Sequence, residues 1–223
     1  MISIVTTDPR MPMIAGDVEL VVVEDSVQAL DRGVAQARGE MCAVFAPGAV
    51  PLPGAFELVA RLAALFPEMS WLSSTQPVIA AADGRLAPSF LPGFSRAAFL
   101  DGVCAIQTEG TFWRRSLWEA AGGTFAEGAS GLWARFFQQA EPCAVLASLA
   151  ISPAETPIDE TVLAAWRARL DHRPTPSGAN GFRVYEGDFV TAEPSLIQAP
   201  FLVIDGAGPS RGLKEAIAAG RVA

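Results

Sequence analysis

Histidine is almost absent from this chain, which carries a single one, His172, among its 223 residues. Zinc sites and Ser–His–Asp triads depend on imidazole groups, so the sequence disfavours both. Cysteine is also scarce, since Cys42, Cys104 and Cys143 lie far apart and form no CxxC pair. An odd number of cysteines in apolar surroundings indicates buried thiols in the reducing cytoplasm, where we expect the protein to reside.

Long apolar runs are missing too, although hydrophobic residues make up 51% of the chain and charged residues only 18%. No run reaches the roughly 18 residues of a membrane-spanning helix, so we expect no transmembrane segment. Met1–Arg10 lacks the basic and apolar regions of a signal peptide. The net charge of −8 argues against a nucleic-acid partner. The mean hydropathy of +0.32 fits a buried apolar surface or a homo-oligomer contact.

Short apolar runs alternate with helical patterns along the first part of the chain. Ile2–Thr6, Glu19–Val23 and Met41–Ala46 are rich in apolar and β-branched residues and predict three buried strands. Ser26 is suited to cap a helix that runs to about Arg38, and Pro53–Phe66 predicts a second helix. Fully apolar strands suit a parallel sheet that is covered on both faces, so the order of elements predicts an α/β fold.

Further elements follow with weaker patterns. The sequence predicts the strand Gly110–Trp113, the helix Leu117–Ala121 capped by Ser116, the helix Leu132–Gln139, the strand Cys143–Leu149 and the helix Thr161–Leu170 capped near Asp159. After the linker-like stretch Arg173–Asn180 come short extended pieces at Phe182–Tyr185, Leu196–Ile197 and Phe201–Ile204, and a last helix at Leu213–Ala219.

The segment from Gln107 to Gly123 carries the most information, because paired arginines are followed by a helix and a Gly-Gly stop. Together with Leu52–Phe56 (LPGAF), its order and spacing resemble the family 2 glycosyltransferases. The resemblance implies a GT-A-like α/β fold, with a mixed, mostly parallel sheet flanked by helices, in residues 1–172. We expect residues 173–223 to form a C-terminal extension packed on it.

The resemblance also implies where a nucleotide-sugar would bind. In that family the first strand and the acid that ends the second strand contact the nucleotide. The corresponding candidates here are Thr6, Glu24, Asp25 and Asp31. For Glu24 and Asp25 a second interpretation stays open, in which they are turn acids or a cap for the next helix.

The carboxylates that the family's chemistry requires are missing. Just after the third strand these enzymes carry an Asp-x-Asp pair, which holds Mg²⁺ or Mn²⁺ against the diphosphate. Here Pro47–Gly48–Ala49 stands at that place, and no carboxylate occurs from Met41 to Phe56. The position of the catalytic base falls near Ala129. We therefore expect a degenerate member, or pseudoenzyme, without a metal cofactor and with reduced or lost metal-dependent transfer.

Two alternatives remain open. An active, metal-independent glycosyltransferase would use Glu127 or Glu109 as its base, and Arg114 or Arg115 to neutralise a diphosphate or an anionic acceptor. Trp113 would stack on a sugar or a base. For Glu109, Arg114, Arg115 and Trp113 the sequence favours the other interpretation, in which they are surface charges and a core tryptophan. The other alternative is a non-catalytic binding or oligomerisation domain in surface polysaccharide assembly.

Overall fold

A computed structural model describes residues 1–11, 16–81, 83–88 and 94–176 in full, and the backbone of residues 183–190 and 198–205. The strands in this part of the chain are β1 Ile2–Thr6, β2 Val18–Val22, β3 Met41–Phe45, β4 Val50–Pro51, β5 Trp71–Ser74, β6 Val78–Ala80, β7 Leu86–Pro88, β8 Thr111–Arg114, β9 Cys143–Val145, β10 Ala150–Ser152, β11 Arg183–Val190 and β12 Gln198–Asp205. The helices are α1 Val27–Gln36, α2 Ala55–Leu65, α3 Arg96–Leu100, α4 Arg115–Ala120, α5 Gly128–Gln139 and α6 Glu160–Arg169.

The main sheet has the strand order β2-β1-β3-β8-β5-β9. Strand β8 runs antiparallel to both of its neighbours, whereas the remaining pairs are parallel. A smaller sheet has the order β4-β10-β6-β7, and β11 pairs with β12. The prediction of a mixed, mostly parallel sheet flanked by helices is therefore confirmed. No helix in the described ranges combines the length and the apolar character needed to cross a membrane.

Apolar side chains fill the space on both faces of the main sheet, because successive strand residues point to opposite faces. On one face Trp113 packs with residues of α1, α3, α4, α5 and α6. On the other face its neighbour Phe112 packs with Phe45 of β3 and Phe56 of α2. The two layers hold β8 in the middle of the sheet. The residues just before β8 contribute to the site described below.

The predicted elements agree best with the structure where the apolar pattern is continuous. Strand β1 has the predicted bounds, and the Asp159 carboxylate caps α6 by accepting from the N–H groups of Thr161 and Val162 at 3.0 and 3.1 Å. Helix α4 was expected after a Ser116 cap but begins at Arg115. The predicted strand Cys143–Leu149 ends at Val145. The predicted helix Leu213–Ala219 lies outside the described residues.

Helix α5 begins at Gly128, four residues before the predicted start at Leu132. Its first turn contains two glycines, Gly128 and Gly131, which have poor helix propensity and no apolar side chain to reveal the helical period. The missed turn matters, because it contributes to the candidate site.

The thiols have no disulfide partner among the described residues. Cys42 and Cys104 are buried, as expected, and Cys143 is partly buried. Burial raises the pKa of Cys42 to about 11, and those of Cys104 and Cys143 to about 12. Because the thiolate is the reactive form, none of the three is suited to act as a nucleophile near neutral pH.

Glu19 of β2 joins the edge of the sheet to the end of α1. Its carboxylate accepts from the Ser3 hydroxyl at 2.5 Å and from the backbone N–H and Nε of Arg38 at 2.7 and 2.8 Å. The same hydroxyl accepts from the N–H of Gly39, where a Cβ would lie 2.5 Å from the Ser3 nitrogen. Burial alone would raise the pKa of Glu19, but these hydrogen bonds outweigh it and lower the pKa to about 2.

The lowered pKa predicts a pH-dependent contribution to stability. Since the folded pKa lies below the ordinary value of 4.5, the contribution of Glu19 is complete above that pH and is lost as the pH falls towards about 2. Denaturant unfolding should therefore show the gap between wild type and Glu19→Gln narrowing from about pH 6 to about pH 3. The exposed Glu57→Gln serves as the control. A gap that stays constant over this range would contradict the assignment.

Candidate functional site

A cleft of about 600 Å³ lies at the edge of the main sheet where its parallel strands end. The cleft is lined by Ala46, Thr108, Glu109, Ala126, Glu127, Gly128, Ala129, Ser130, Pro153, Ala154, Glu155, Thr156, Pro157, Asp159 and Val162. Ala46 follows β3, and the short segment before β8 contributes Thr108 and Glu109. In open α/β sheets ligands bind outside the carboxyl ends of the strands, so this cleft is the candidate site.

Glu109 is the buried carboxylate of the cleft, with an exposed fraction of 5%. Its Oε1 accepts from the N–H of Ala46 at 3.2 Å, and its Oε2 accepts from Nε2 of Gln107 at 2.7 Å. Gln107 is itself fixed, because it also donates to the carbonyl of Ala154 at 2.9 Å and accepts from the N–H of Thr156 at 2.9 Å. No described cation forms an ion pair with Glu109, so hydrogen bonds alone hold its side chain in the cleft.

Glu127 precedes α5 and is the second carboxylate of the cleft, with a half-exposed side chain. It forms an ion pair with Arg135, whose Nη1 lies 2.7 Å from Oε2, and the same oxygen accepts from Nε1 of Trp166 at 3.2 Å. Burial lowers the pKa of Arg135, and the negative charge of Glu127 opposes that shift. The pair therefore keeps both charges in place beside the cleft.

The cleft carries negative charge only, as far as the structure describes its lining. Four lining residues are acidic, namely Glu109, Glu127, Glu155 and Asp159, and none of the described lining residues is Lys, Arg or His. No group of three or more His, Cys, Asp or Glu side chains in the described ranges is arranged to hold a metal ion. Arg135 balances the charge of Glu127 from beside the cleft, whereas Glu109, Glu155 and Asp159 form no ion pair with a described cation. A diphosphate would therefore meet net repulsion here.

A tight turn lies where the family 2 glycosyltransferases, which the sequence resembles, carry their metal-binding acids. Gly48 has a φ of +84°, which a residue with a side chain rarely adopts, and its N–H donates to Oδ2 of Asp8 at 3.2 Å. The backbone N–H of Arg10 binds the same carboxylate and lowers the pKa of Asp8. Asp8, which the sequence analysis did not single out, thus holds this turn against the end of β1.

The four predicted nucleotide-binding residues lie outside the lining of the cleft. Thr6 is fully buried at the end of β1, and its hydroxyl accepts from the N–H of Asp8 at 3.0 Å. Glu24 and Asp25 are exposed between β2 and α1. Asp31 accepts from the Thr124 hydroxyl at 2.8 Å and from the N–H of the next residue at 2.7 Å, so it ties α1 to the loop before α5. A nucleotide-binding role for these residues stays a prediction.

The arginine pair lies at the opposite edge of the sheet. Arg114 is paired with Met41 at the start of β3, whereas the cleft begins at Ala46 beyond the end of β3, roughly 16 Å away along the strand. Arg114 donates to the carbonyls of Met69, Ala63 and Phe66 at 2.7, 2.8 and 3.1 Å and forms an ion pair with Glu40.

The side chains next to Arg114 in the sequence also make contacts within the fold. Arg115 donates to the carbonyl of Gly39 at 2.9 Å, and Trp113 is fully buried between aromatic rings of the core. The structure therefore brings together Glu109 and Glu127 and separates both of them from Arg114, Arg115 and Trp113.

Several residues that shape the site gave no signal in the sequence. Gln107 and Thr156 hold Glu109, and Arg135 and Trp166 hold Glu127. Trp166 and Glu127 are 39 residues apart, so their contact depends on how α6 packs on α5. The spacing of Glu127 and Arg135, eight residues apart, would have been a usable signal only with the correct start of α5.

The mixed α/β fold, with helices flanking its sheets, is similar to that of a glycosyltransferase of known structure. Among solved structures, the crystal structure of S. aureus TarS, a glycosyltransferase, matches with a TM-score of 0.54 and 9% sequence identity. The match covers 77% of this chain but 43% of the TarS chain, so the chain spans less than half of that protein. No protein-family model and no curated protein matches the sequence. The likeness shows the fold alone.

Proposed function

We propose that this glycosyltransferase-like protein binds a neutral saccharide in its acidic cleft, without a divalent metal and without sugar transfer. The observation that carries the proposal is the charge of the cleft, which has four carboxylates and no basic residue in its described lining. Carboxylates accept strong hydrogen bonds from hydroxyl groups, whereas they repel phosphates. A saccharide offers many hydroxyl donors, and the apolar face of its ring suits the proline, alanine and valine side chains of the lining.

The same geometry supports the proposed loss of sugar transfer. A sugar-nucleotide donor needs positive charge at its diphosphate as the leaving group departs. Arg114 and Arg115 lie at the other edge of the sheet and bind backbone carbonyls. The turn at Gly48 contains no carboxylate of its own, and Asp8, which lies against it, accepts from the N–H groups of Gly48 and Arg10. The cleft has the position of a ligand site at the ends of parallel strands, and its carboxylates suit the binding of a saccharide.

Calorimetric titration with two panels tests the proposal. One panel contains methyl glycosides and short oligomers of glucose, galactose, mannose and N-acetylglucosamine, and the other contains UDP-, GDP- and dTDP-sugars. We expect a neutral saccharide to bind and Ala126→Trp, on the exposed rim of the cleft, to weaken it at least about tenfold by steric exclusion. Ala120→Trp, exposed on α4, is the matched control and should bind normally. Binding that Ala126→Trp does not change would place the site elsewhere.

A metal-independent glycosyltransferase is the second candidate, and Glu109 is the observation that favours it. This buried carboxylate lies in the cleft without a described cationic partner, as a base for an acceptor hydroxyl would require. Under this alternative, a sugar-nucleotide would be consumed in the absence of metal and Glu109→Gln would reduce turnover by about a hundredfold or more. The absence of turnover with every donor of the panel would leave the binding function.

A further inference from the structure

Gly131, inside the first turns of α5, leaves a space that the side chain of Glu127 fills. A Cβ built at Gly131 would overlap the Cβ of Glu127 and lie 2.9 Å from its Oε2. Carbon atoms do not approach that closely, so a side chain at position 131 would displace Glu127. The glycine therefore allows the Glu127 side chain to fold back along the helix, towards Arg135.

The two oxygens of the Glu127 carboxylate have different surroundings. Both anchoring donors, Nη1 of Arg135 at 2.7 Å and Nε1 of Trp166 at 3.2 Å, bind Oε2. Arg135 is itself fixed, because its Nη2 donates to the carbonyl of Thr124. No described residue donates to Oε1. A carboxylate oxygen accepts two hydrogen bonds, so Glu127 has one anchored oxygen and one whose acceptor capacity is unused.

We infer that Glu127 is the specificity-determining residue of the cleft, and that its Oε1 accepts a hydrogen bond from one hydroxyl of the bound saccharide. Gly131, Arg135 and Trp166 are positioning residues, since they act by fixing that carboxylate. The inference rests on the proposed function, because it names the group that recognises the saccharide. A hydroxyl bound to a carboxylate forms a stronger bond than one between neutral groups, so Glu127 selects ligands with a hydroxyl at that point.

The same geometry predicts what Glu127→Gln does. Arg135 and Trp166 both require an acceptor at the position of Oε2, so the amide oxygen of Gln takes that place. Its NH2 group then replaces Oε1, and the variant offers neutral N–H donors where the wild type offers a charged acceptor. We expect about tenfold weaker binding of the tightest saccharide from the panel.

Monodeoxy analogues of that saccharide identify the hydroxyl. One analogue should bind the wild type about tenfold less tightly than the parent saccharide does, yet bind Glu127→Gln as well as the parent does. The remaining analogues should lose equal factors in both proteins. If every analogue shows the same loss in the wild type and in Glu127→Gln, the inference is overturned while the proposed function stands. If no saccharide of the panel binds the wild type, the proposed function fails and the inference fails with it.

The positioning role of Gly131 is tested on the protein without a ligand. The Trp166 indole N–H donates to Glu127, so its signal in a ¹H–¹⁵N spectrum reports the carboxylate, and Trp166→Phe assigns that signal. Gly131→Ala should move the Trp166 indole signal. Gly33→Ala in α1 is the matched control, because its Cβ would crowd Val5 of β1 and Val23 after β2 without touching Glu127. An indole signal that Gly131→Ala leaves in place would contradict the positioning role.

Discussion

Replacing Trp113 with alanine is expected to lower the free energy of unfolding by about 3–5 kcal/mol. Trp113 is fully buried in the central strand β8. Its ring lies 5.8 Å from that of Trp133, 5.7 Å from that of Phe136 and 6.4 Å from that of Trp118, measured between centroids. Removing the ring leaves a cavity where helices α4 and α5 meet the sheet, and rigid strands on both sides restrict its collapse.

Denaturant unfolding followed by circular dichroism measures this loss. Trp113→Phe is the control, because it keeps an aromatic ring and removes an indole N–H that has no partner among the described residues. It should cost about half as much or less. If Trp113→Ala were nearly as stable as the wild type but failed to bind saccharide, the side chain would belong to a binding site and not to the core.

Replacing Arg114 with methionine is expected to cost about 2–4 kcal/mol of stability and to leave saccharide binding unchanged. The guanidinium donates to the carbonyls of Ala63 and Phe66 at the end of α2 and to that of Met69 before β5. The last carbonyls of a helix have no partner within the helix, so this side chain supplies hydrogen bonds that α2 lacks. Methionine keeps the length of the side chain and removes the donors.

Arg32, which is exposed on α1, provides the matched control. Arg32→Met should change the free energy of unfolding by no more than about 0.5 kcal/mol. Measured side by side, the two variants separate a structural arginine from a solvated one. A normal stability of Arg114→Met together with weakened binding of a phosphate-bearing ligand would support the phosphate role that its place in the sequence suggests.

The direction of β8 explains why the sequence indicated the fold better than the site. The sequence predicts the strand Gly110–Trp113, which corresponds to β8, yet it does not say whether the strand runs parallel or antiparallel to its neighbours. Because β8 is antiparallel, residues before it lie at the carboxyl edge of the sheet, and residues after it lie at the amino edge. Glu109 and Arg114 are therefore close in sequence and lie at opposite edges.

The sequence does show one property of the site, which is that the metal-binding acids after β3 are absent. No carboxylate follows β3 as far as Phe56, and a turn held by Asp8 stands at that place. The surroundings of Glu127 were beyond prediction, because they depend on a helix turn with two glycines and on the packing of α6 against α5. Contacts between segments that are distant in the sequence decide which acids share a cleft. The local sequence pattern does not predict those contacts.

We propose above all that the acidic cleft binds a saccharide and needs no divalent metal. The most direct measurement is a calorimetric titration of the wild-type protein, first in EDTA and then with Mn²⁺, using the tightest neutral saccharide and each nucleotide-sugar of the panel. We predict the same Kd for the saccharide in both conditions and no binding of any nucleotide-sugar. Tight binding of a nucleotide-sugar that requires Mn²⁺ would contradict the claim.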